Sequence, residues 1–426
     1  MQITFVNHAC YLLEHGDVKL LHDPWLSGMA FHNGWALIAP SAWSYDRFAE
    51  VTHIWFSHEH PDHFCPPDLK AIAPEHRAKI TVLFHKTRDR KVVDYCRKLG
   101  FGEVIELDQG WFDLSPEFSV MNRPHTDGDS WLCARVNGRY VLNINDCNLE
   151  SDAALNAIMK AIGGQPEVLI TQFSYANAAG NRIDTDVRRK LAASKLAEVS
   201  RQIKVLKPKW VVPFASFIWF CHEENFYRND AVNPVRRAAE TITEAGARPL
   251  VMFNGDTWAG GEKHDSEPAV LAWEKAFGEN VRPELVVKAT TIEADELLKA
   301  GKQFCEMLRN NNALWISKVL QPTCIFITDL NLGFELAPWH YRRLPELNPE
   351  KCDIHLSSEA MLYCLKHLWG GSTLRINGRY EAPPNGQFKR FKRYFNIAQL
   401  NNEGYRVNAG FALQYLFRVM AEKLRS

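Results

Sequence analysis

The stretch "FSHEHPDHF", residues 56–64, sets His58, His60, Asp62 and His63 in a His-x-His-x-Asp-His run. Imidazoles and carboxylates in such a run suit zinc, iron or manganese. Residues i and i+2 leaving a strand point the same way, so His58 and His60 can grip one cation. Asp62 and His63 follow at the turn into the next helix and can face a second. No thiolate joins them, which argues against a closed structural zinc site. Four such groups do not complete a two-metal site, so further ligands are expected at later strand ends. "NRPHTDGDS" places His125 after an apolar strand, and "LNINDCN" places Asp146 where one carboxylate could bridge both ions. "VVPFASFIWFCHEEN" supplies His222, again just past a strand.

The elements that must position these groups alternate short apolar strands with amphipathic helices up to about residue 256. "ITFVNHA", "YLLEHG" and "VKLLHDP" read as consecutive strands, and "VTHIWF" as the buried strand that delivers the His-rich run. "WLCARVNGRYVLNIND" reads as a hairpin turning at Asn-Gly. A strand "EVLITQFS", a helix over 185–206, a strand "KWVVPFAS", a helix over 233–245 and a strand "RPLVMFNGD" follow. Strands and helices in two similar halves predict an α/β (α+β) fold of αββα sandwich type over 1–256. Beyond residue 257 the pattern changes to helices over 267–320 and then an α+β segment. Residues 257–426 are therefore expected to form a C-terminal α+β appendage, placed where it could cover the active site.

The 426 residues carry 50 Lys+Arg and 50 Asp+Glu, so no global field steers the chain toward nucleic acid or an anionic membrane. No apolar run reaches the roughly 20 residues that span a bilayer. The N-terminus reads as a strand rather than a signal peptide. Ten cysteines are scattered without a paired framework, which favours a reducing compartment. A cytoplasmic protein acting on a small molecule is the expectation.

The ordered set of His58, His60, Asp62, His63, His125, Asp146 and His222 resembles the metallo-β-lactamase superfamily. That resemblance implies one metal on His58, His60 and His125, the other on Asp62, His63 and His222, with Asp146 shared. It also implies that Asp23 in "LHDPW" orients ligands from behind, and it gives His8 in "VNHACYLLE" a supporting place beside the site. "DPWLSGMAFHNGWALIAP", "THIWFSHEHPDHFCPPDLKAIA" and "VVPFASFIWFCHEENFYRNDAVNP" are similar to the catalytic region of the CMP-N-acetylneuraminic acid hydroxylase family. The similarity spans roughly residues 18–256 and implies a diiron oxygenase. That family draws electrons through a Rieske domain, whose Cys-x-His and Cys-x-x-His pair does not precede His58. An oxygenase reading therefore calls for an external ferredoxin or reductase. The superfamily's commoner habit is hydrolysis, with two zinc or manganese ions activating water on a phosphodiester, amide or lactone. Asp62 and Asp146 are the carboxylates expected to act in either chemistry, and iron is the metal of the first.

Other features have two readings each. Trp25, Phe31, Trp35, Phe217 and Trp219 flank ligand-bearing segments and could wall a pocket or belong to the core. "FNGDTW" reads as a turn or a site mouth, and "FKRFKRYF" as an amphipathic helix or an anion-binding face. Arg342 and Arg343 could clamp an anion. Cys352-x-x-His355 and Cys364-x-x-His367 read mainly as helix positions, with a metal site as the other reading.

Overall fold

Apolar residues at every second position give the first strands two buried faces. Ile3, Phe5, Tyr11, Leu13, Leu20, Trp55 and Leu83 enter one core, while Val6, Leu12, Leu21, Ile54 and Val82 enter another. In the computed structural model, which describes residues 1–125, 128–149, 151–261 and 263–411, those strands form a seven-stranded sheet. Its order is Thr257–Trp258, Gln2–Asn7, Cys10–His15, Val18–His22, His53–Trp55, Thr81–His85 and Glu103–Leu107. A second seven-stranded sheet runs Arg248–Pro249, Trp210–Phe214, Val168–Gln172, Arg139–Asn145, Ser130–Val136, Phe118–Pro124 and Trp111–Ser115. The larger core joins the two sheets, and helices cover their outer faces, which makes an αββα sandwich.

Each sheet contains a run of parallel strands. Val18–His22, His53–Trp55, Thr81–His85 and Glu103–Leu107 pair in parallel, as do Arg139–Asn145, Val168–Gln172 and Trp210–Phe214. Parallel strands bring their carboxyl ends to one rim, where open α/β sheets hold ligands. Asp23 follows the first strand, Ser57 and His58 the second, and Asp146 the second sheet's Arg139–Asn145. The hairpin turn at Asn137-Gly138 has both residues at positive φ, 46° and 74°, as a two-residue Asn-Gly turn requires.

Two sequence expectations change. The strand read over "RPLVMFNGD" pairs only at Arg248–Pro249. The change of core falls after Asn280 rather than at residue 257. Thr257–Trp258 pairs with Gln2–Asn7, and Trp273 of helix Glu267–Asn280 stacks on Phe217 at 4.0 Å within the first core. A separate core starts at Leu297 and includes Phe304, Ile325, Phe334, Tyr341, Met361 and Phe395. It rests on the four-stranded sheet His340–Arg343, Leu332–Ala337, Thr323–Ile327, Ile354–Leu356. "STLRINGRY" is helical over Gly370–Asn377, and "FKRFKRYF" opens the helix Phe388–Asn402, which buries Phe391, Tyr394 and Phe395. The C-terminal segment 412–426 lies outside the described residues.

Candidate metal centre

His58, Asp62 and His63 are buried in the loop that follows strand His53–Trp55, with His60 half-buried beside them. Three overlapping groups of ligand atoms, each within 4.8 Å of one another, form at this rim: His58–His60–Asp62, His58–His63–Asp146 and His8–Asp62–His63. His58 Nε2 stands 2.8 Å from His60 Nδ1. Asp146 Oδ2 lies 3.8 Å from His58 Nε2 and 3.7 Å from His63 Nε2, so this carboxylate faces both halves of the cluster. Asp62 Oδ2 lies 3.3 Å from His63 Nε2 and 3.3 Å from His8 Nε2.

Behind the ligands a polar network fixes which nitrogen faces the cleft. Asp23, fully buried, accepts from the Ser57 N–H at 2.7 Å, Ser57 Oγ at 2.7 Å and Asn145 Nδ2 at 3.0 Å. His63 Nδ1 sits 3.0 Å from the same carboxylate, and His58 Nδ1 sits 2.9 Å from Ser57 Oγ. A hydroxyl that donates to Asp23 must accept from His58, so both imidazoles carry their proton on Nδ1 and turn Nε2 into the cluster. There His63 Nε2, Asp62 Oδ1 and Asp146 Oδ1 are buried without a hydrogen-bond partner. Orphaned ligand-type atoms on three residues of these overlapping groups fit cations, because leaving them unmatched would cost free energy.

The electrostatics agree. Burial, His63 and His60 hold His58 well below the usual imidazole range, so it presents a neutral nitrogen. Burial also lowers His63, but Asp62, Asp146 and Asp23 outweigh it and push it well above that range. Burial works against the Asp62 carboxylate, yet His63 and His8 hold it well below its ordinary value. The carboxylates have gathered positive charge onto the one imidazole most enclosed by them, a role that a cation fills directly.

The remaining sequence candidates fall in different places. His125 stands at the rim, its Nε2 3.0 Å from the Asn148 carbonyl, outside the three groups. His222 lies in a different setting. Its Nδ1 faces Glu224 at 3.3 Å, its Nε2 faces Glu359 at 3.7 Å, and it belongs to none of the groups. The reason is local. Cys221 N–H bonds to the Gly34 carbonyl and His222 bridges to Val287, which keeps this segment on the three-stranded sheet Ile218–Phe220, Trp35–Leu37, Met29–Ala30 and against the C-terminal unit. His8, expected only to support the site, instead brings its Nε2 into a ligand group. Asp129 was missed: its Oδ1 is 3.7 Å from His58 Nε2. The signal was the acidic "HTDGDS" after His125, but choosing among its carboxylates needs the strand register.

Trp25, Phe31 and Trp35 form a small apolar cluster beside the ligands, with Phe31 edge-on to His60 at 5.6 Å and Trp25 edge-on to His8 at 5.8 Å. Phe217 and Trp219 belong to the main core. Arg342 is exposed and paired with Glu335, and "FNGDTW" closes a turn in which Asp256 accepts from Phe253 N–H. Neither cysteine–histidine pair, Cys352 with His355 or Cys364 with His367, appears among the ligand groups of the described residues.

Residues 2–145 match the family model described as the Beta-lactamase superfamily domain. The cytidine monophosphate-N-acetylneuraminic acid hydroxylase of Danio rerio is 27% identical over 240 residues, covering 53% of this chain and 39% of that protein. The Mus musculus enzyme of the same name is 28% identical over 267 residues, covering 57% and 45%. The chain thus matches less than half the length of these two relatives. Among solved structures, CmlA, a diiron beta-hydroxylase from Streptomyces venezuelae, is similar with a TM-score of 0.43 and 18% identity, over 60% of this chain and 53% of that one. No helix among the described residues is long and apolar enough to cross a membrane.

Proposed function

We propose, from the match of residues 2–145 to the Beta-lactamase superfamily domain, that this chain is a dinuclear metal-dependent oxygenase. Its substrate is a small polar molecule of nucleotide, sugar or amino-acid type, hydroxylated with electrons from a separate ferredoxin or reductase. The observation that carries the metal centre is the convergence of His63 Nε2, Asp62 Oδ1 and Asp146 Oδ1, all buried and unpartnered, within groups that also hold His58, His60 and His8. The hydroxylase names of the 27–28% identical relatives favour oxidation over hydrolysis.

His58, His60, Asp62, His63, Asp146 and His8 would hold the irons, with His125 and Asp129 beside them. Bound iron supplies the redox chemistry that lets dioxygen serve as oxidant. The chain's own side chains do the rest. Asp23 and Ser57 keep the protons of His63 and His58 on Nδ1, so both Nε2 atoms stay available as donors. Trp25, Phe31 and Trp35 exclude water from the far side of the ligands. Asp146 retains 22% side-chain exposure and Asp129 15%, so a substrate reaches the centre along the side these two carboxylates form.

The test is metal content and spectrum. Protein purified aerobically from iron-supplemented and from zinc-supplemented cells is assayed for bound metal, near-ultraviolet absorption and dioxygen uptake with a chemical reductant. Two irons per chain, a ligand-to-iron charge-transfer band and reductant-dependent uptake are expected. Two tightly held zincs with turnover of a phosphodiester, amide or lactone substrate would overturn the oxidative reading and put a metallo-hydrolase in its place.

A further inference from the structure

All ten cysteines are unpaired, yet two of them meet outside the ligand groups. Cys324 lies in strand Thr323–Ile327 and Cys352 just before strand Ile354–Leu356, and these strands pair in parallel with Ile325 opposite Ile354. The pairing carries the two thiols to an Sγ···Sγ distance of 2.7 Å, although 28 positions separate them in sequence. We infer that Cys324 and Cys352 form a reversible disulfide site, closed by thiol–disulfide exchange with a small disulfide such as oxidised glutathione.

The surroundings hold the pair together. Asp353 accepts from the Cys324 backbone N–H at 3.0 Å and from Thr323 Oγ1 at 3.0 Å, and its own N–H donates to the Cys324 carbonyl at 2.8 Å, so the residue after Cys352 is tied to both sides of Cys324. The Cys352 N–H bonds to the Pro349 carbonyl, and Gly386 packs so closely that an added Cβ would sit 2.2 Å from the Cys352 carbonyl oxygen. Neither thiol has a free segment on which to swing away. Access is unequal: Cys324 is half-buried and Cys352 is buried. The hydrogen bond from Cys352 lowers the Cys324 thiol, while the same contact pushes Cys352 up. The reachable sulfur is therefore the better nucleophile, and its neighbour resolves it.

The exchange balances in two steps. Cys324 thiolate attacks one sulfur of the glutathione disulfide, forming a mixed disulfide and releasing one glutathione thiolate. Cys352, giving up its proton, then attacks Cys324 Sγ, forming the intramolecular bond and releasing the second glutathione. Two protein thiols are oxidised, one glutathione disulfide is reduced, and two protons pass to the glutathiones. The closed bond ties strand Thr323–Ile327 to the segment that enters strand Ile354–Leu356 of the same sheet. It constrains the unfolded chain between the two cysteines and raises the thermal midpoint of that unit.

Full-length reduced protein is incubated with oxidised glutathione, quenched with acid, alkylated under denaturing conditions and digested. The expected result is a fall from ten to eight alkylatable thiols, a peptide joining Cys324 to Cys352 that dithiothreitol releases, and a higher thermal midpoint. Cys324→Ser should keep its remaining thiols alkylatable, and Cys352→Ser should stop at the glutathione adduct on Cys324. The inference is overturned if native protein keeps both cysteines alkylatable, or carries glutathione on Cys324 without the cross-link.

Discussion

Asp23→Asn separates the orienting carboxylate from the ligands it serves. In the native site Oδ1 faces one donor, the Ser57 N–H at 2.7 Å, while Oδ2 faces Ser57 Oγ, His63 Nδ1 and Asn145 Nδ2 at 2.7, 3.0 and 3.0 Å. An amide turns one of these acceptors into a donor. With its NH2 toward the crowded side it would oppose the Asn145 amide and force His63 to move its proton to Nε2. With its NH2 toward Ser57 it opposes a single backbone N–H, so this orientation wins and leaves one buried donor unmatched, a cost of about 1–3 kcal/mol in stability. His63 then keeps its Nδ1 proton but points it at a neutral oxygen, and Nε2 becomes a weaker donor. Changes of this kind behind a ligand weaken metal binding by about 10–100-fold, or roughly 1.4–2.8 kcal/mol. Anaerobic competition of iron(II) and zinc(II) against a chromophoric chelator reads the affinity, and urea unfolding of the metal-free protein reads the stability. Both should fall. A variant that loses stability but binds both metals with native affinity would refute the orienting role of Asp23.

His8→Ala should lower metal stoichiometry by one ion in atomic absorption, while His222→Ala should retain both; the reverse outcome would restore His222 to the ligand set. Arg379→Met removes a buried guanidinium that bonds Glu224 at 2.7 Å, Glu359 at 2.5 Å and the His32 carbonyl at 2.9 Å. It should cost about 3–5 kcal/mol in guanidinium unfolding, because it strands two carboxylates where the C-terminal unit docks; a loss below about 1 kcal/mol would count against that docking role. Burial lowers His222 to about 3 and His85 to about 4. Since their unfolded forms take up protons near pH 6.5, their stabilising contribution is complete above that pH. It is lost as pH falls toward those values, by about 2 kcal/mol for each at pH 5, and calorimetry across pH 7 to 5 measures it.

The helix Thr185–Leu206, the Asn-Gly hairpin and the His-rich loop were legible because each is written in contiguous residues. His222 falls outside the ligand groups although a histidine shortly past an apolar strand satisfies the same local pattern wherever the chain then goes. What decides its place is non-local: a carbonyl at Gly34, a bridge to Val287 and two glutamates, one of them 137 positions downstream at Glu359. His8 was underweighted for the mirror-image reason. It sits in the turn between strands Gln2–Asn7 and Cys10–His15, and only the register of the first sheet carries that turn to Asp62. Asp129 and Asn145 are ordinary polar residues in sequence. They matter because the two sheets close on one another.

That closure is visible in the backbone. Asp23 and Asn145 end strands in different sheets, both hold positive φ, 40° and 51°, and the Asn145 amide donates to the Asp23 carboxylate at 3.0 Å. Left-handed φ costs a residue with a Cβ roughly 1–3 kcal/mol where the conformation is strained, and Asp and Asn bear it best because their short side chains bond locally. Glycine would remove the strain but also the carboxylate and amide that bond the two strand ends to each other. The chain therefore keeps polar residues where backbone relief would favour glycine. The bend at Asn145 turns Asp146 toward His58 and His63, and the bend at Asp23 sets its carboxylate behind them. Ligand direction, histidine tautomer and sheet closure are thus one linked arrangement. A substitution at Ser57, which bonds Asp23, His58 and Asn145 together, disturbs all three at once without touching a ligand atom.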